Sequence, residues 1–393
     1  MRFFRELLYG LARVTNSLIP KRPQSLVFIS RPDFSDNPRH MYDFYRRHCG
    51  EELHMSWLCF DREVQRLLEK QGISDVFYLK SIRGVWEYCR AKYIFTNSSS
   101  LWQIKSPFQM QIALWHGMPL KNILRMGNEP MESTRPAGNV DLRIATSPIT
   151  RALIAASFNY DARKVRITGQ PRSDALFLNI DLPRKLLDTD AKRYKGILLY
   201  MPTYRSGYKA FRDGRGLEDD NIFRFESFSL EKFEAFLKRN RLLFLMKLHP
   251  YEEKIFSKSI RSDWIRVVTH RMLLEKRIET YHLLAGATML LTDYSSVYLD
   301  YLLLDRPIVF VPSDLEEYRK KRGFSLEPYE FWTPGAKAFN QNELEEAIAD
   351  RDHYQEHRAL IRELIHTHQD GNACRRVHQA IQEETGTSFC KNT

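Results

Sequence analysis

The regular alternation of short apolar segments with amphipathic segments constrains the fold of this chain most strongly. In the first half, the strand-like segments are SLVFIS, LHMSWLCF, DVFYL, KYIFT, MQIALW, LRIAT and VRITG. In the second half, they are GILLYMP, LLFLMKL, IRVVT, MLLT and PIVFVP. Strands that alternate with helices pair in parallel and are covered on both faces, so the pattern predicts an α/β fold with parallel sheets.

A polar and basic segment at residues 178–196 separates the two series of strands and marks the connection between domains. A length of 393 residues is compatible with two or three domains. We predict a basic amphipathic helix at 1–22, a Rossmann-like domain at 23–178, a second at 193–372, and a C-terminal helix or tail at 373–393. The two parallel sheets are expected to face an interdomain cleft.

The N-terminal segment combines apolar residues at helical spacing with positive charge. No run reaches the roughly 18 apolar residues of a membrane-spanning helix. The pattern predicts a helix lying in a membrane interface, and a helix packed on the domain is the alternative. The apolar positions are Phe3, Phe4, Leu7, Leu8, Leu11, Val14 and Leu18, and the basic ones are Arg2, Arg5, Arg13, Lys21 and Arg22.

The formal net charge of +11 favours acidic partners such as anionic lipid, phosphorylated small molecules or nucleic acid. The basic residues are spread out and no RNA-binding signature is present, which argues against nucleic acid. The five cysteines show no CxxC spacing. We therefore expect neither a disulfide framework nor a zinc site, and a reducing compartment.

Polar residues follow the predicted strands at their carboxyl ends, where open parallel sheets bind ligands. His116 and Gly117 follow IALW, and His249 follows LFLMKL. A histidine at a strand end is most often structural, but one in each domain suggests a shared role in a site. Neutral imidazole acts as a general base, and Gly117 leaves room for a substrate. No spacing typical of a metal site is present, so no metal or cofactor is predicted.

The segment LLTDYSSVYLDYLLLD predicts a strand followed by a helix that begins near Ser295 or Ser296. A serine that caps such a helix beside free backbone N–H groups suits a phosphate, although an ordinary capped helix explains the pattern as well. Arg205 follows another strand and can bind phosphate through two N–H groups. No GxGxxG fingerprint or P-loop is present.

Six segments in order resemble the CDP-glycerol glycerophosphotransferase family of teichoic acid enzymes, over residues 35–335. They are SDNPRHMYDF, ALWHGMPLKNI, TGQPRSDALF, LLYMPTYR, LFLMKLHP and LTDYSSVYLDYLLLDRPIVFVPSDLEEYRKKRGF. One departure is Met118, where the family usually has threonine.

The resemblance implies a GT-B-like fold, a CDP-glycerol donor, no metal, and peripheral attachment to the cytoplasmic face of the membrane. The implied acceptor is an undecaprenyl-pyrophosphate-linked saccharide or the growing polymer. His116 and His249 match the two functional histidines of the family, and Arg205, Thr292, Ser295 and Ser296 match positions around the donor. We also assign Gly117, Arg172, Asp293 and Asp300 to substrate binding. The resulting hypothesis makes His116 the base for the acceptor hydroxyl and sets His249 on the donor phosphates.

Several alternatives remain open from the sequence. The short region before the first strand favours a primase that adds one unit over a polymerase. CDP-ribitol is the nearest rival donor. A nucleotide-sugar glycosyltransferase or epimerase would share the fold. The sequence leaves open whether the protein forms a homo-oligomer.

Overall fold

The structure, a computed structural model, forms two compact units. It describes residues 2–98, 101–127, 140–188, 190–203, 221–249, 252–253, 256–257, 260, 262–387 and 389. The first unit comprises Met1–His116, Ser133–Asp174 and Asp370–Thr393, and the second comprises Gly117–Glu132 and Ala175–Gln369. This division differs from the predicted ranges at several boundaries. The segment after His116 belongs with the second unit, and the C-terminal helix belongs with the first.

The first unit contains a seven-stranded parallel sheet in the order β3-β2-β1-β4-β5-β6-β7. All seven segments predicted as strands in the first half form one. Their apolar side chains are almost entirely buried because helices cover both faces of the sheet. The strands are β1 Arg22–Ile29, β2 His54–Cys59, β3 Val76–Tyr78, β4 Ala91–Thr96, β5 Met110–Ala113, β6 Leu142–Ala145 and β7 Val165–Ile167.

The second unit contains a six-stranded parallel sheet in the order β10-β9-β8-β11-β12-β13. The five segments predicted as strands in the second half are confirmed. The sixth strand, β13, was not predicted because its two residues are half-buried and form no apolar run. The strands are β8 Gly196–Tyr200, β9 Leu242–Met246, β10 Ile265–Val267, β11 Met289–Thr292, β12 Ile308–Phe310 and β13 Ala336–Lys337.

Helices connect the strands, and several begin with the cap that their sequence predicts. Ser147, for example, accepts a hydrogen bond from the Thr150 N–H and starts α5 with a proline at its first position. The first helices are α1 Arg2–Leu18, α2 Asp36–His48, α3 Arg62–Lys70, α4 Ile82–Arg90, α5 Pro148–Phe158, α6 Leu182–Leu187 and α7 Leu230–Asn240. The later helices are His270–Glu275, Thr280–Gly286, Val297–Tyr301, Leu315–Lys321, Tyr329–Trp332, Gln341–Ala349, Gln355–Ile365 and Ala373–Thr385.

Each sheet reverses its winding direction once, between β1 and β4 in the first unit and between β8 and β11 in the second. Ligands of doubly wound sheets bind at the carboxyl edge beside this reversal. The two switch points therefore indicate where each unit is able to bind a ligand.

Two further features bear on the predictions from the sequence. Cys49 takes part in a disulfide, contrary to the expectation of no disulfide, while Cys59, Cys89 and Cys374 are free and buried. Among the described residues, no helix is both long enough and apolar enough to cross a bilayer.

Candidate active site

His116 lies at the carboxyl edge of the first sheet, three residues after the buried strand β5. Its side chain is exposed, and its Nδ1 atom lies 2.8 Å from the backbone carbonyl oxygen of Asn97. A carbonyl oxygen only accepts hydrogen bonds, so Nδ1 carries the hydrogen. In the neutral ring, the lone pair is therefore on Nε2, which is the atom able to take a proton.

Arg172 is held in a buried ion pair of the first unit and does not extend into solvent. Its guanidinium lies 2.8 Å from the Asp36 carboxylate, and the residue is only 5% exposed. Asp36 neutralises the charge of Arg172, and the assignment of Arg172 to substrate binding stays a prediction. Gly117, which follows His116, is buried.

His249 lies past the end of β9 in the second unit and is half-buried. Its backbone carbonyl accepts hydrogen bonds from the N–H groups of Glu252 and Glu253, at 2.8 and 3.0 Å. Burial, and then the positive charge of Lys247, lower the pKa of His249, while Glu253 opposes the shift. The imidazole is consequently neutral at physiological pH in the unliganded protein.

Two buried ion pairs surround the turn that carries His249. Lys247 pairs with Glu253, and Arg224 pairs with Glu252 at 3.3 Å. Glu253 also accepts a hydrogen bond from the backbone N–H of His270 at 3.1 Å. Because these carboxylates also start the helical turn after His249, the pairs fix the backbone on which the histidine is mounted.

Thr292 and Asp293 lie at the end of β11, beside the switch point between β8 and β11. The Thr292 hydroxyl donates to the carbonyl of Met201 at 2.8 Å, and the Asp293 carboxylate accepts from the Thr203 N–H at 2.7 Å. Both residues are almost fully buried. These contacts tie the end of β11 to the end of β8, and the assignment of Thr292 and Asp293 to substrate binding stays a prediction.

Ser295 and Ser296 are half-buried at the same edge. The helix begins at Val297 as predicted, but Ser296 makes no side-chain capping bond, contrary to the expected cap. The helix is only five residues long and continues as the 3-10 helix Leu302–Leu304. The assignment of Ser295 and Ser296 to donor binding therefore depends on their two hydroxyl groups and not on the short helix, and it stays a prediction.

Asp300 is fully buried and accepts a hydrogen bond from the Tyr281 hydroxyl at 2.6 Å. This contact ties the helix Val297–Tyr301 to the helix Thr280–Gly286. The contact gives Asp300 a structural role, and its assignment to substrate binding stays a prediction.

Arg205 lies outside the described residues. Among those that are described, no group of three His, Cys, Asp or Glu side chains is arranged to hold a metal ion. Asn97, whose backbone binds His116, and Thr203, whose backbone binds Asp293, were not among the predicted site residues. Asn97 directly follows β4 and Thr203 lies three residues after β8, and this position past a buried strand was the signal that the sequence offered.

Comparison with known proteins identifies the family. The family model of CDP-Glycerol:Poly(glycerophosphate) glycerophosphotransferase matches residues 11–383. A teichoic acid glycerol-phosphate transferase of Staphylococcus aureus is 25% identical, covering 96% of this chain and 98% of that protein. A teichoic acid glycerol-phosphate primase of Bacillus subtilis is 27% identical, covering 95% of this chain and 96% of that protein.

Solved structures share the fold. The wall teichoic acid polymerase TagF superposes with a TM-score of 0.74 at 20% identity, covering 97% of this chain and 98% of that chain. A UDP-GlcNAc 2-epimerase from Neisseria meningitidis gives a TM-score of 0.52 at 13% identity, covering 91% of this chain and 100% of that one. The GT-B-like prediction is confirmed, and the match of the family model over nearly the whole chain decides between these two kinds of enzyme. The chain belongs to the CDP-Glycerol:Poly(glycerophosphate) glycerophosphotransferase family and is a transferase of that class.

Proposed function

We propose that the protein transfers glycerol phosphate from CDP-glycerol to a hydroxyl group of an undecaprenyl-pyrophosphate-linked saccharide and releases CMP. The observation that carries this proposal is the orientation of His116. Its Nδ1 donates to the Asn97 carbonyl, so Nε2 is the proton acceptor at the exposed carboxyl edge of the first sheet.

The chemical step is a substitution at phosphorus. The acceptor oxygen attacks the phosphorus atom that bears glycerol, and the bond between that phosphorus and the oxygen of CMP breaks. His116 Nε2 takes the proton of the acceptor hydroxyl as the new P–O bond forms. Positioned general bases contribute about 10²–10⁴-fold to such reactions.

The second unit supports the departing phosphate. Neutral His249 donates one ring N–H to a phosphoryl oxygen, and the hydroxyls of Ser295 and Ser296 donate to others. Preorganised donors of this kind stabilise the charge that develops on the leaving group. Approach of the anionic donor also raises the pKa of His249, so that donor binding draws a proton onto the ring.

The proposal is tested by mass spectrometry of the products formed from CDP-glycerol and a synthetic lipid-linked disaccharide. We expect one added glycerol phosphate and one CMP per acceptor. Two relatives that match almost end to end are named transferase or primase, although a poly(glycerol phosphate) polymerase of Bacillus spizizenii also covers 90% of this chain. A ladder of products would instead assign polymerase activity, and no transfer from CDP-glycerol would overturn the proposal.

CDP-ribitol is a second candidate donor. A teichoic acid ribitol-phosphate primase of Bacillus spizizenii is 30% identical over 251 residues. Competition between the two donors in the same assay separates the candidates, because the products differ in mass. We expect glycerol phosphate to dominate, and a product containing only ribitol phosphate would replace the assigned donor.

We also propose that α1 attaches the protein to an anionic membrane surface. The helix is fixed at its end by Asn16, whose side-chain amide donates to the Ile104 carbonyl and to Gln109, both at 2.8 Å. Its large apolar side chains are nevertheless exposed, as expected of a helix that buries them in the lipid interface. These side chains are Phe4, Leu7, Leu8, Leu11, Val14 and Leu18.

Sedimentation with phosphatidylglycerol vesicles tests this attachment. Replacing Leu8 and Leu11 by Glu is expected to weaken vesicle binding by at least about tenfold, because two apolar side chains no longer enter the interface. Activity on a water-soluble acceptor should persist. The control Leu360→Glu changes an exposed leucine on the helix Gln355–Ile365 and should bind vesicles normally. Unchanged binding of the double variant would contradict the role of α1.

A further inference from the structure

We propose that four buried polar residues position His116 and fix its tautomer: Asp36, Asn37, Asn97 and Arg172, together called the edge network. This inference rests on the proposed role of His116 as base. The network leads from the imidazole through the four side chains and back to the backbone of Trp115, the residue before His116. All its members belong to the first unit.

Asn97 holds the carbonyl that receives the Nδ1 hydrogen of His116. Its side-chain amide donates to the Arg31 carbonyl at 3.1 Å, and its Oδ1 accepts from the Arg31 N–H at 3.0 Å. The same amide donates to the Asp36 carboxylate at 2.8 Å. The residue is completely buried. Three contacts therefore prevent rotation of the Asn97 peptide group that binds the imidazole.

Asp36 and Arg172 connect the two asparagines. One carboxylate oxygen of Asp36 accepts from Asn97, and the other lies 2.8 Å from the Arg172 guanidinium. The backbone N–H of Arg172 then donates to Asn37 Oδ1 at 3.1 Å. Because the pair is largely buried, removing one partner would leave the other charge uncompensated within the edge network.

Asn37 fixes the backbone that carries His116. Its amide donates to the carbonyls of Leu114 and Trp115, at 3.1 and 3.0 Å. Trp115 has a φ of +57°, an uncommon conformation for a bulky residue that needs such support. The Trp115 ring also packs on the His116 ring, with centroids 4.0 Å apart. Asn37 thereby sets the direction in which the imidazole leaves the sheet edge.

The chemical consequence is a single neutral tautomer. A ring with the hydrogen on Nε2 would place the Nδ1 lone pair against the Asn97 carbonyl oxygen, which is repulsive. Partners of the second ring nitrogen commonly set the tautomer and basicity of functional histidines. The edge network is thus a positioning device for the base and makes no direct contact with substrate in this proposal.

Four enzymes test the proposal: Asn97→Ala, His116→Ala, the double variant, and the control Gln109→Ala. Asn97→Ala is expected to lower kcat by roughly tenfold to a hundredfold, less than the loss caused by His116→Ala. In the double variant, the Asn97 change should cost nothing further, because it acts through His116. Gln109 also has a buried amide bound to backbone carbonyls, those of Tyr88 and Ala91, but it precedes β5 at the opposite edge of the sheet. Because Gln109 also accepts from Asn16 at the end of α1, turnover is compared on a water-soluble acceptor, where its variant should keep the wild-type rate.

A second readout does not depend on activity. In spectra that correlate the ring nitrogens and hydrogens of ¹⁵N-labelled histidine, the His116 signals are assigned by their loss in His116→Ala. We expect the Nδ1–H tautomer in the wild type and in Gln109→Ala, and a mixture of tautomers in Asn97→Ala.

The outcomes separate the two proposals. Full activity of His116→Ala overturns the proposed role of His116 as base, on which the positioning role rests, whereas no transfer by the wild type overturns the proposed function. If His116→Ala loses activity, the role of His116 as base stands, and any of three results would overturn the positioning role alone. They are full activity of Asn97→Ala, additive losses of activity in the double variant, and an unchanged His116 tautomer in Asn97→Ala.

Discussion

The carboxyl edges of the two sheets have the same topology but present their histidines in different ways. His116 is exposed, and its ring is oriented by a backbone carbonyl at 2.8 Å. His249 is half-buried; burial and then the positive charge of Lys247 lower its pKa, while Glu253 raises it. An exposed ring with one defined tautomer suits proton transfer, and a buried neutral ring suits hydrogen bonding to an anion. The same fold thus supports two tasks through the immediate surroundings of each ring.

The largest effect is expected from replacing His116 at the carboxyl edge of the first sheet. His116→Ala should lower kcat by about 10²–10⁴-fold, because the acceptor hydroxyl loses its base. The affinity for CDP-glycerol should change little, which calorimetric titration measures. His357→Ala is a matched control, since that ring also contacts a backbone carbonyl, that of Phe331 at 2.7 Å. A loss of donor affinity equal to the loss in kcat would remove the distinction between the edges.

Replacing His249 at the carboxyl edge of the second sheet should, unlike His116→Ala, weaken donor binding. His249→Ala is expected to lower kcat/KM by about 10²–10³-fold through lost stabilisation of the phosphate, together with weaker donor binding. His249→Gln retains an N–H donor and should recover part of the activity. Steady-state kinetics with varied CDP-glycerol measure both variants. If His249→Ala changes only the kinetic constants for the acceptor, the assignment of His249 to the donor phosphates is wrong.

The hydroxyls of the second edge should have a smaller effect. Ser296→Ala is expected to weaken CDP-glycerol binding by about tenfold, the value of one or two hydrogen bonds, without lowering Tm. The reason is that Ser296 makes no capping bond. Ser229→Ala is the matched control, because that serine caps α7 by accepting from the Lys232 N–H. The control should cost about 1 kcal/mol of stability and leave donor binding intact.

Replacing Asp300 tests whether its buried carboxylate stabilises the fold or binds the donor. Asp300→Ala removes the acceptor for the buried Tyr281 hydroxyl and should lower the free energy of unfolding by about 1–3 kcal/mol. Donor affinity of the folded enzyme is expected to stay unchanged, as checked by urea unfolding and titration with CDP-glycerol. A loss of affinity for CDP-glycerol with intact stability would show that Asp300 contributes to donor binding.

The smallest expected effect is the uptake of a fraction of a proton by His249 when the donor binds. The folded pKa of His249 lies below the unfolded value of about 6.5, so this group reduces stability as the pH falls below that value. Donor binding raises the pKa again and should therefore cause proton uptake just below neutral pH. Calorimetry in buffers of different ionisation enthalpy measures the uptake, and His249→Gln should abolish it. Equal uptake in the variant would assign the proton to another group.

The strands and the positions of both histidines could be predicted because buried parallel strands form apolar runs whose ends are visible in the sequence. The surroundings of the histidines could not. The carbonyl that binds His116 belongs to a backbone group, which has no sequence signature. The Asp36–Arg172 pair joins residues 136 positions apart. The contacts of Thr292, Asp293 and Asp300 could not be predicted either, because a polar residue in this segment can equally bind a substrate or hold the fold together.

Chemical rescue tests the central claim, that His116 is the base, most directly. In His116→Gly, the exposed position of the side chain leaves access for imidazole from solvent. We expect added imidazoles to restore glycerol phosphate transfer, with a rate that rises with the basicity of the imidazole. Rescue that is independent of basicity, or transfer at the wild-type rate without imidazole, would contradict the account.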